Sequence, residues 1–371
     1  MRSLEDMAIT VNEDFWRGRR VFLTGHTGFK GAWLALWLHE LGAKVSGFAL
    51  PPEGKHYLFS ACGLEHLIHS HMGDVRNAEQ LSEALGAAAP EIIFHLAAQS
   101  LVRRSYRLPV ETFGTNVMGT VNLLEAARKY GSVRSIVVVT SDKCYENHGI
   151  MSPPYTEEDP LGGSDPYSAS KACTELVSRA YREAWMSGDE ARTVMATVRA
   201  GNVIGGGDYA EDRIVPDAIR ALSQGEILRV RNPQAVRPWQ HVLEPLSGYL
   251  MLAEKLHIEG TRWAGAWNFG PRNEEATPVG TLADLIIKAW GSGSWSTFPI
   301  MDADGLHEAH QLKLVSGKAR RLLGWQPKLS LSEAVTMTVR WYREASSVDA
   351  ARLRSFSVDQ IRHYEGLLVT T

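Results

Sequence analysis

The stretch RVFLTGHTGFKG, residues 20–31, decides the fold. Its first five residues are mainly β-branched, aliphatic and aromatic, which predicts a strand, and residues 31–41 have the length of a helix. Between them, three glycines follow a GxxGxxG pattern. Glycine permits a tight turn and a close approach of the backbone to a pyrophosphate, and a helix N-terminus offers free N–H groups to the anion. The same glycines would suit a turn with only a packing role, but their place between strand and helix favours a dinucleotide site.

The rest of the first half continues the alternation of strands and helices. Strands are predicted at residues 44–50, 68–72, 91–97 and 134–140, and helices at residues 77–89, 109–130 and 167–187. The runs at 91–97 and 134–140 are largely apolar, which is typical of strands buried on both faces of a parallel sheet. We therefore predict an α/β fold with a Rossmann-type doubly wound parallel sheet.

The composition changes after about Gly205, where glycine, proline and tryptophan become frequent. Helices are predicted at residues 213–222, 241–256 and 279–290, whereas strands are hard to assign. We predict that residues 15–204 form the dinucleotide-binding domain, to which residues 240–270 partly return. Residues 205–371 are predicted to form mainly a smaller C-terminal, substrate-binding lobe.

Composition and charge exclude several classes of function. The 371 residues include 39 Lys and Arg and 42 Asp and Glu, a net charge of −3, so no global positive field attracts nucleic acid. Cys62, Cys144 and Cys173 are widely spaced and form no CxxC pair, which argues against a disulfide framework and a zinc site. The first residues lack an apolar signal region, and no apolar stretch is long enough to span a membrane. We therefore expect a cytoplasmic protein with no nucleic-acid or membrane partner.

Two acids are candidates for the adenosine end of a dinucleotide. An Asp or Glu about 20 residues after the glycines often binds the ribose 2′-OH of NAD. Glu53 is the nearest such residue, but Pro51 and Pro52 place it in a loop, so the choice between NAD and NADP stays open. Asp74 follows the third predicted strand and can accept a hydrogen bond from the adenine amine, or simply cap a turn.

The candidate catalytic residues lie after a predicted strand and at the start of a predicted helix. Ser141, Asp142 and Lys143 follow the strand at 134–140, where ligands of open α/β sheets bind. Tyr167 and Lys171 are four residues apart and project from one helix face. A lysine cation near a phenol favours the phenolate, so we expect the pKa of Tyr167 to be lowered by up to about three units. A YxxxK spacing alone is common by chance; the strand-end serine and the glycine turn make it informative.

Several motifs together resemble the extended short-chain dehydrogenase/reductase superfamily, and the resemblance extends over nearly the whole chain. They are TGHTGFKG (24–31), HLAAQ (95–99), TSDKCY (140–145) and YSASK (167–171). Further segments are similar to its nucleotide-sugar branch and, within it, to the family of CDP-glucose 4,6-dehydratases: RAGNVIGGGD (199–208), RPWQHV (237–242), WNFG (267–270), HEAH (307–310) and LGW (323–325). The resemblance implies a bound NAD, a nucleotide-sugar substrate, a homodimer, and a place in deoxysugar biosynthesis for the O-antigen of lipopolysaccharide.

The resemblance also assigns the site residues. Those expected to bind NAD are Gly25, Thr27, Gly28, Phe29, Lys30, Gly31, Asp74, Val75, Leu96, Ala97, Ala98, Gln99, Asn116, Thr140, Tyr167 and Lys171. Those expected to contact the nucleotide sugar are Ser141, Asn202, Arg237 and Gln240, and no metal is expected. Arg237 can bind a diphosphate bidentately, with a surface salt bridge as the alternative. Asn202 can meet a hydroxyl or the diphosphate, with a loop hydrogen bond as the alternative.

The implied reaction converts CDP-D-glucose to CDP-4-dehydro-6-deoxy-D-glucose and water. Tyr167 takes the proton of the C4 hydroxyl as hydride leaves C4, Ser141 hydrogen-bonds the C4 oxygen, and Asp142 is the acid for the C6 hydroxyl. The hydride later returns to C6. Lys143 stands where the dTDP-glucose dehydratases have a glutamate as C5 base. A lysine is a base only if its pKa is lowered, and otherwise it stabilises the enolate, so the C5 base is left open.

Two other functions remain possible from the sequence. A nucleotide-sugar 4-epimerase would share Tyr167 and Lys171 but needs no groups for the loss of water, so Asp142 and Lys143 favour the dehydratase. A non-catalytic dinucleotide-binding sensor or scaffold would keep the fold, but the presence of Ser141, Tyr167 and Lys171 argues against it.

Overall fold

The computed structural model describes residues 11–147, 154–188, 191–272, 276–298 and 313–369. Its strands are β1 (Arg20–Thr24), β2 (Lys44–Ala49), β3 (His69–Met72), β4 (Ile92–His95), β5 (Ser135–Val139), β6 (Val194–Ala200), β7 (Val203–Ile204), β8 (Leu228–Val230), β9 (Val236–Arg237), β10 (Gln240–His241), β11 (Gly265–Phe269), β12 (Thr277–Pro278) and β13 (Trp295–Thr297).

The helices are α1 (Glu13–Trp16), α2 (Phe29–Glu40), α3 (Leu58–Ala61), α4 (Ala78–Ala88), α5 (Val102–Arg107), α6 (Pro109–Phe113), α7 (Gly119–Lys129), α8 (Pro166–Trp185), α9 (Ile214–Ser223), α10 (Leu243–Glu259), α11 (Val279–Trp290), α12 (Leu331–Ala345) and α13 (Ala350–Val369). Short 3₁₀ turns lie at Leu64–His66, Asp142–Cys144 and Gly260–Trp263, and π turns at Gly114–Met118 and Ala319–Leu323.

A seven-stranded parallel sheet forms the centre of the molecule. Its strand order is β11-β6-β5-β4-β1-β2-β3. The chain runs outwards from β1 to β3 and then crosses back to β4 beside β1. Such a reversal opens a crevice at the carboxyl ends of the strands. The predicted doubly wound parallel sheet is therefore confirmed.

Helices cover both faces of this sheet. Successive strand residues point to opposite faces, so Leu23 packs in a core with Trp33 of α2, whereas Phe22 packs in a second core with Leu81 of α4 and Leu123 of α7. α2 is buried along most of its length because it lies between the sheet and α13. Burial on both faces explains why α2 is apolar around its whole circumference.

The sequence predicted most helix ends in this half to within two residues. Asn77 caps α4 by accepting a hydrogen bond from the Gln80 amide at 3.1 Å, as its position suggested. Asp165 caps α8 in the same way and Pro166 occupies its first position. The helix predicted at 109–130 is present as α6 and α7 joined by a π turn, which the sequence did not indicate.

The chain after β6 builds a second group of short elements and also returns to the sheet. β7 pairs with β10, β9 with β12, and β8 with β13, while β11 adds to the edge of the central sheet beside β6. The limits of the two predicted domains stay a prediction. No helix in the described ranges has the length and apolar character needed to cross a membrane.

Candidate active site

One cavity of about 570 Å³ opens at the carboxyl ends of the sheet strands. It is lined by the glycine turn, the HLAAQ segment, the turn after β5, the start of α8 and the segments after β6 and β8. Of the predicted site residues, the following line it: Gly25, Thr27, Gly28, Phe29, Lys30, Gly31, Asp74, Val75, Leu96, Ala97, Ala98, Gln99, Thr140, Ser141, Asp142, Lys143, Tyr167, Lys171, Asn202 and Arg237. Asn116 and Gln240 lie behind its wall.

The glycine turn has the geometry of an anion cradle. Gly25 has a φ of 77°, and a Cβ there would lie 2.7 Å from the backbone nitrogen of Ala97. A Cβ on Gly31 would lie 2.0 Å from the carbonyl oxygen of Gly25, so only glycine fits either position. Gly28 is the N-cap of α2 and brings no side chain to its first N–H groups. These groups therefore face the cavity uncapped, which suits a pyrophosphate.

Two buried polar side chains hold the HLAAQ segment against the glycine turn. The Thr24 hydroxyl accepts hydrogen bonds from the amides of Leu96 and Ala97, both at 3.2 Å. Asn116 lies in the π turn between α6 and α7, and its amide group bonds both the N–H and the carbonyl of Gln99, at 2.8 and 3.0 Å. Asn116 therefore shapes the cofactor wall from behind instead of lining it.

The two candidate adenosine residues already have partners. Asp74 accepts hydrogen bonds from the backbone N–H and the guanidinium of Arg76, which lower the pKa of its carboxyl group. This is the turn-capping role that the sequence left open, and the adenine contact stays a prediction. Glu53 is exposed at the cavity rim, where it accepts a hydrogen bond from Tyr57 at 3.1 Å and lies 3.6 Å from Arg104.

Ser141 and Asp142 form a paired turn after β5. The Ser141 hydroxyl accepts from the amide of Lys143 at 3.2 Å and donates to Asp142 Oδ1 at 3.0 Å. Burial raises the pKa of Asp142, against the lowering effects of Lys143, Ser141, Arg237 and Lys30. Its Oδ2 has no hydrogen-bond partner in the described part of the chain, and a Cβ on Gly201 would lie 3.2 Å from it. This carboxyl group is suited to carry a proton for a bound ligand.

Tyr167 and Lys171 lie together at the start of α8, but the pKa of Tyr167 differs from the prediction. Burial raises the pKa of Tyr167 to about 12, while the Ser141 hydroxyl opposes the shift. Lys171 instead directs its Nζ to the carbonyl oxygen of Val139 at 3.2 Å. Burial also lowers the pKa of Lys171 to about 8. The expected lowering of the phenol pKa by Lys171 is therefore wrong for the protein chain alone, because desolvation raises this pKa by more than the Ser141 hydroxyl and the charge of Arg213 lower it.

Lys30 is a cation of the site whose environment the sequence did not reveal. It follows Phe29 in the first turn of α2 and faces the cavity. Burial, together with the charges of Arg213 and Lys171, lowers the pKa of Lys30 to about 7, while Asp142 raises it. The cavity thus places several cations around one buried carboxyl group, an arrangement that suits an anionic substrate.

The predicted substrate residues differ in their positions. Arg237 is buried at the cavity wall, with Nη1 donating to the carbonyl oxygen of Val236 at 3.0 Å. Asn202 lines the cavity, and its backbone carbonyl oxygen accepts a hydrogen bond from the backbone N–H of Gln240 at 3.0 Å. The Gln240 side chain donates to the Phe269 carbonyl oxygen at 2.9 Å, behind the cavity wall. The contact of Gln240 with substrate stays a prediction.

Sequence reasoning missed other residues of the site. Gly201 leaves room for Asp142 Oδ2, and Arg213 lines the cavity and pairs with Asp208 at 2.8 Å. Both lie in or near the RAGNVIGGGD motif, which was the available signal. The HEAH motif at 307–310 lies outside the described residues. Within the described ranges, no three His, Cys, Asp or Glu side chains come together as metal ligands.

Comparison with known proteins gives consistent matches. The family model described as GDP-mannose 4,6 dehydratase matches residues 22–268. A CDP-glucose 4,6-dehydratase of Salmonella typhimurium is 47% identical over 338 residues, which cover 90% of this chain and 93% of that protein.

Solved structures share the fold. A dTDP-glucose 4,6-dehydratase from Streptomyces venezuelae with NAD bound is 26% identical, with a TM-score of 0.74 and coverage of 88% of this chain and 97% of that one. A UDP-glucose 4-epimerase from Thermotoga maritima with UDP-glucose is 24% identical, with a TM-score of 0.75 and coverage of 88% and 99%. The second likeness concerns the fold alone.

Proposed function

The chain belongs to the GDP-mannose 4,6-dehydratase family, and from that premise we propose that it is an NAD-dependent lyase that converts CDP-D-glucose to CDP-4-dehydro-6-deoxy-D-glucose and water. The observation that carries this proposal is the 47% identity, over nearly the full length of both chains, to a protein described as a CDP-glucose 4,6-dehydratase. The cavity supports it because candidate groups for oxidation and for elimination line the same space.

The residues present fit a dinucleotide. The uncapped start of α2 and the glycine turn would hold the pyrophosphate, and Asp74 and Val75 would lie at the adenosine end. Bound NAD supplies the hydride acceptor, the hydride donor and a positive charge that favours the phenolate of Tyr167.

Oxidation at C4 is assigned to the start of α8 and the end of β5. Tyr167 would accept the proton of the C4 hydroxyl, and Ser141 would hydrogen-bond the same oxygen. Lys171, one helical turn after Tyr167, would hold positive charge beside the phenol at neutral pH, since its own pKa is about 8. Burial alone opposes phenolate formation, so the surrounding cations are needed for Tyr167 to act as a base.

Elimination is assigned to the two residues after Ser141. A ketone at C4 acidifies the hydrogen at C5. Asp142, whose raised pKa favours the protonated form, would give its proton to the departing C6 hydroxyl. Lys143 lines the cavity next to it and is assigned to C5, as base or as the cation that stabilises the enolate. The diphosphate would meet Arg237, and Asn202 the sugar or the diphosphate.

A homodimer is part of the proposal. Apolar side chains are exposed along α6, the π turn after it and α8: Val110, Phe113, Met118 and Leu176. An apolar groove lies among them, lined by Pro109, Val110, Phe113, Gly114, Val117, Met118 and Cys173. A second copy of the same two helices would cover this surface in a four-helix interface, as the family resemblance implies.

Compartment and pathway complete the proposal. The three cysteines are free, which suits the reducing cytoplasm. The product is a deoxysugar precursor, and its use in the O-antigen of lipopolysaccharide rests on the resemblance to the CDP-sugar branch.

The experiment that tests the function is incubation of the purified protein with CDP-, dTDP-, UDP- and GDP-hexoses, followed by mass analysis. We expect a product lighter by one water from CDP-glucose, formed faster than from the other three. A product of unchanged mass whose proton NMR spectrum shows an inverted C4 would identify a 4-epimerase instead. Dehydration of another nucleotide sugar at a higher rate would overturn the assignment to CDP-glucose.

A further inference from the structure

A buried ion pair lies directly behind the candidate catalytic residues. Arg199 on β6 contacts Glu175 on α8 through two parallel hydrogen bonds, Nε to Oε1 at 2.8 Å and Nη2 to Oε2 at 2.9 Å. Both side chains are almost completely buried. Neither lines the cavity, so neither has direct access to a bound substrate.

This pair is bonded to both ends of the turn that carries Ser141, Asp142 and Lys143. Before the turn, the Thr140 hydroxyl donates to Glu175 Oε1 at 2.5 Å. After the turn, Arg199 Nη1 donates to the Tyr145 hydroxyl at 2.7 Å, and its guanidinium lies 4.7 Å from the centroid of the Tyr145 ring.

The same pair reaches the second catalytic element. Glu175 lies on α8, one helical turn after Lys171 and two turns after Tyr167. Residues from two separate elements, the turn after β5 and the start of α8, must meet the same hexose. A misplacement of about 1 Å between them can cost about 10²-fold in rate.

We propose that Glu175 and Arg199 are positioning residues that hold the Ser141–Lys143 turn in register with Tyr167 and Lys171. The proposal rests on the proposed function. Its physical basis is that one bidentate pair joins α8, β6 and both flanks of the turn, so the turn cannot shift without breaking a buried charged hydrogen bond.

Two conservative variants each remove one bond between the ion pair and a flank of the turn and leave the ion pair intact. Tyr145→Phe removes the hydroxyl but keeps the ring, which stacks on Tyr155 with centroids 4.8 Å apart and an interplanar angle of 5°. Tyr145→Phe also removes the hydrogen bond that the Tyr145 hydroxyl donates to Asn268 Oδ1 at 2.7 Å. Thr140→Val removes the donor to Glu175 and keeps the shape. For each we expect kcat to fall about tenfold. For Tyr145→Phe, whose side chain lies outside the cavity lining, the KM for CDP-glucose and the amount of bound NAD should change less than about twofold.

The chain offers a matched control. Tyr249 is also fully buried, its hydroxyl has no partner among the described residues, and it lies outside the cavity lining. Tyr249→Phe is expected to keep the wild-type kcat. Arg199→Met is less suitable, because it leaves Glu175 as an unpaired buried carboxylate and threatens folding.

Unchanged kcat in both folded variants would overturn the proposal. So would an equal fall in kcat for Tyr249→Phe, or a fall that only follows the loss of folded protein or bound NAD. These outcomes differ from failure of the proposed function, in which the wild-type protein itself does not dehydrate CDP-glucose.

Discussion

The hydroxyl of Ser141 donates a hydrogen bond to Oδ1 of Asp142 at 3.0 Å. The other oxygen, Oδ2, is buried and has no hydrogen-bond partner in the described chain. Ser141 and Asp142 are therefore hydrogen-bonded to each other, although Ser141 is assigned to the C4 oxygen of the substrate and Asp142 to the C6 oxygen.

Asp142→Asn removes the proposed proton donor and keeps the shape of the side chain. Because oxidation is assigned to Tyr167, Ser141 and Lys171, we expect reduced cofactor to accumulate on the enzyme while loss of water slows about 10²-fold or more. Single-turnover absorbance of NADH measures the first step and product mass the second. Asp284→Asn, an exposed carboxylate outside the cavity, is the control. Elimination at the wild-type rate would remove Asp142 from its assigned role.

Tyr167→Phe is expected to lower kcat by about 10²-fold or more without loss of bound NAD or of folded structure. Phenylalanine preserves the packing of this buried side chain and removes only the hydroxyl that would take the C4 proton. Steady-state kinetics, circular dichroism and the ratio of cofactor to protein measure the three quantities. Turnover above about a tenth of the wild-type rate would show that another group is the base.

Arg237→Ala is expected to raise the KM for CDP-glucose much more than it lowers kcat. A guanidinium on the diphosphate binds ground state and transition state alike, so its loss mainly weakens binding. The amount of bound NAD should stay the same. Parallel loss of NAD, or a large fall in Tm without substrate, would instead assign Arg237 to the structure.

Lys171→Met is expected to stabilise the protein without ligands at pH 7 by about 2 kcal/mol while abolishing turnover. Removal of the buried ammonium contributes about 3 kcal/mol, and loss of its hydrogen bond to the Val139 carbonyl oxygen costs about 1 kcal/mol. The pKa of Lys171 is about 8 in the folded chain, against an ordinary value of 10.5, so burial of the ammonium opposes folding. This cost is complete below pH 8. It decreases as the pH rises from 8 to 10.5, because there the unfolded chain still binds the proton and the folded chain does not.

Denaturant unfolding of Lys171→Met and of the wild type at pH 7 and near pH 10 tests whether the variant is the more stable protein and how the difference depends on pH. The difference in the free energy of unfolding should shrink at the higher pH. Lys255→Met, at a partly exposed surface lysine, controls for loss of a charge. A variant less stable than wild type at pH 7 would contradict the electrostatic account of Lys171.

Val110→Asp is expected to convert a dimer into a monomer in sedimentation experiments. Val110 is 86% exposed in the single chain and borders the apolar groove along α6, so a charge there would be buried in the proposed interface. Ile258→Asp, at a 61% exposed position on α10, should leave the assembly unchanged. A variant that stays dimeric would place the interface elsewhere.

The fold was predictable because its strands and turns have strong local signals. The run at β1, the glycines after it, the apolar β4 and β5, and the Asn77 cap each have a short-range physical cause. The two-residue strands after β6 are too short to show periodicity, and their pairing depends on contacts between distant segments. The π turn that holds Asn116 likewise has no local signature.

The sequence predicted most of the residues that line the cavity, but it did not predict their electrostatic arrangement. The sequence motifs identified Ser141, Asp142 and Tyr167 as candidates, and the structure places all three at one cavity. The pKa of Tyr167 was predicted wrongly. The YxxxK spacing indicates that a lysine lies one helical turn from the phenol, but it does not indicate how deeply the phenol is buried. The pairing of Glu175 with Arg199 joins residues on a helix and a strand, which periodicity does not reveal.

The most direct measurement of the central claim uses CDP-glucose that carries deuterium on C4. The account predicts a product lighter by one water with the deuterium on C6, because the hydride removed at C4 returns to C6 of the sugar. A product of unchanged hexose composition with the deuterium still on C4 would contradict dehydration and identify epimerisation.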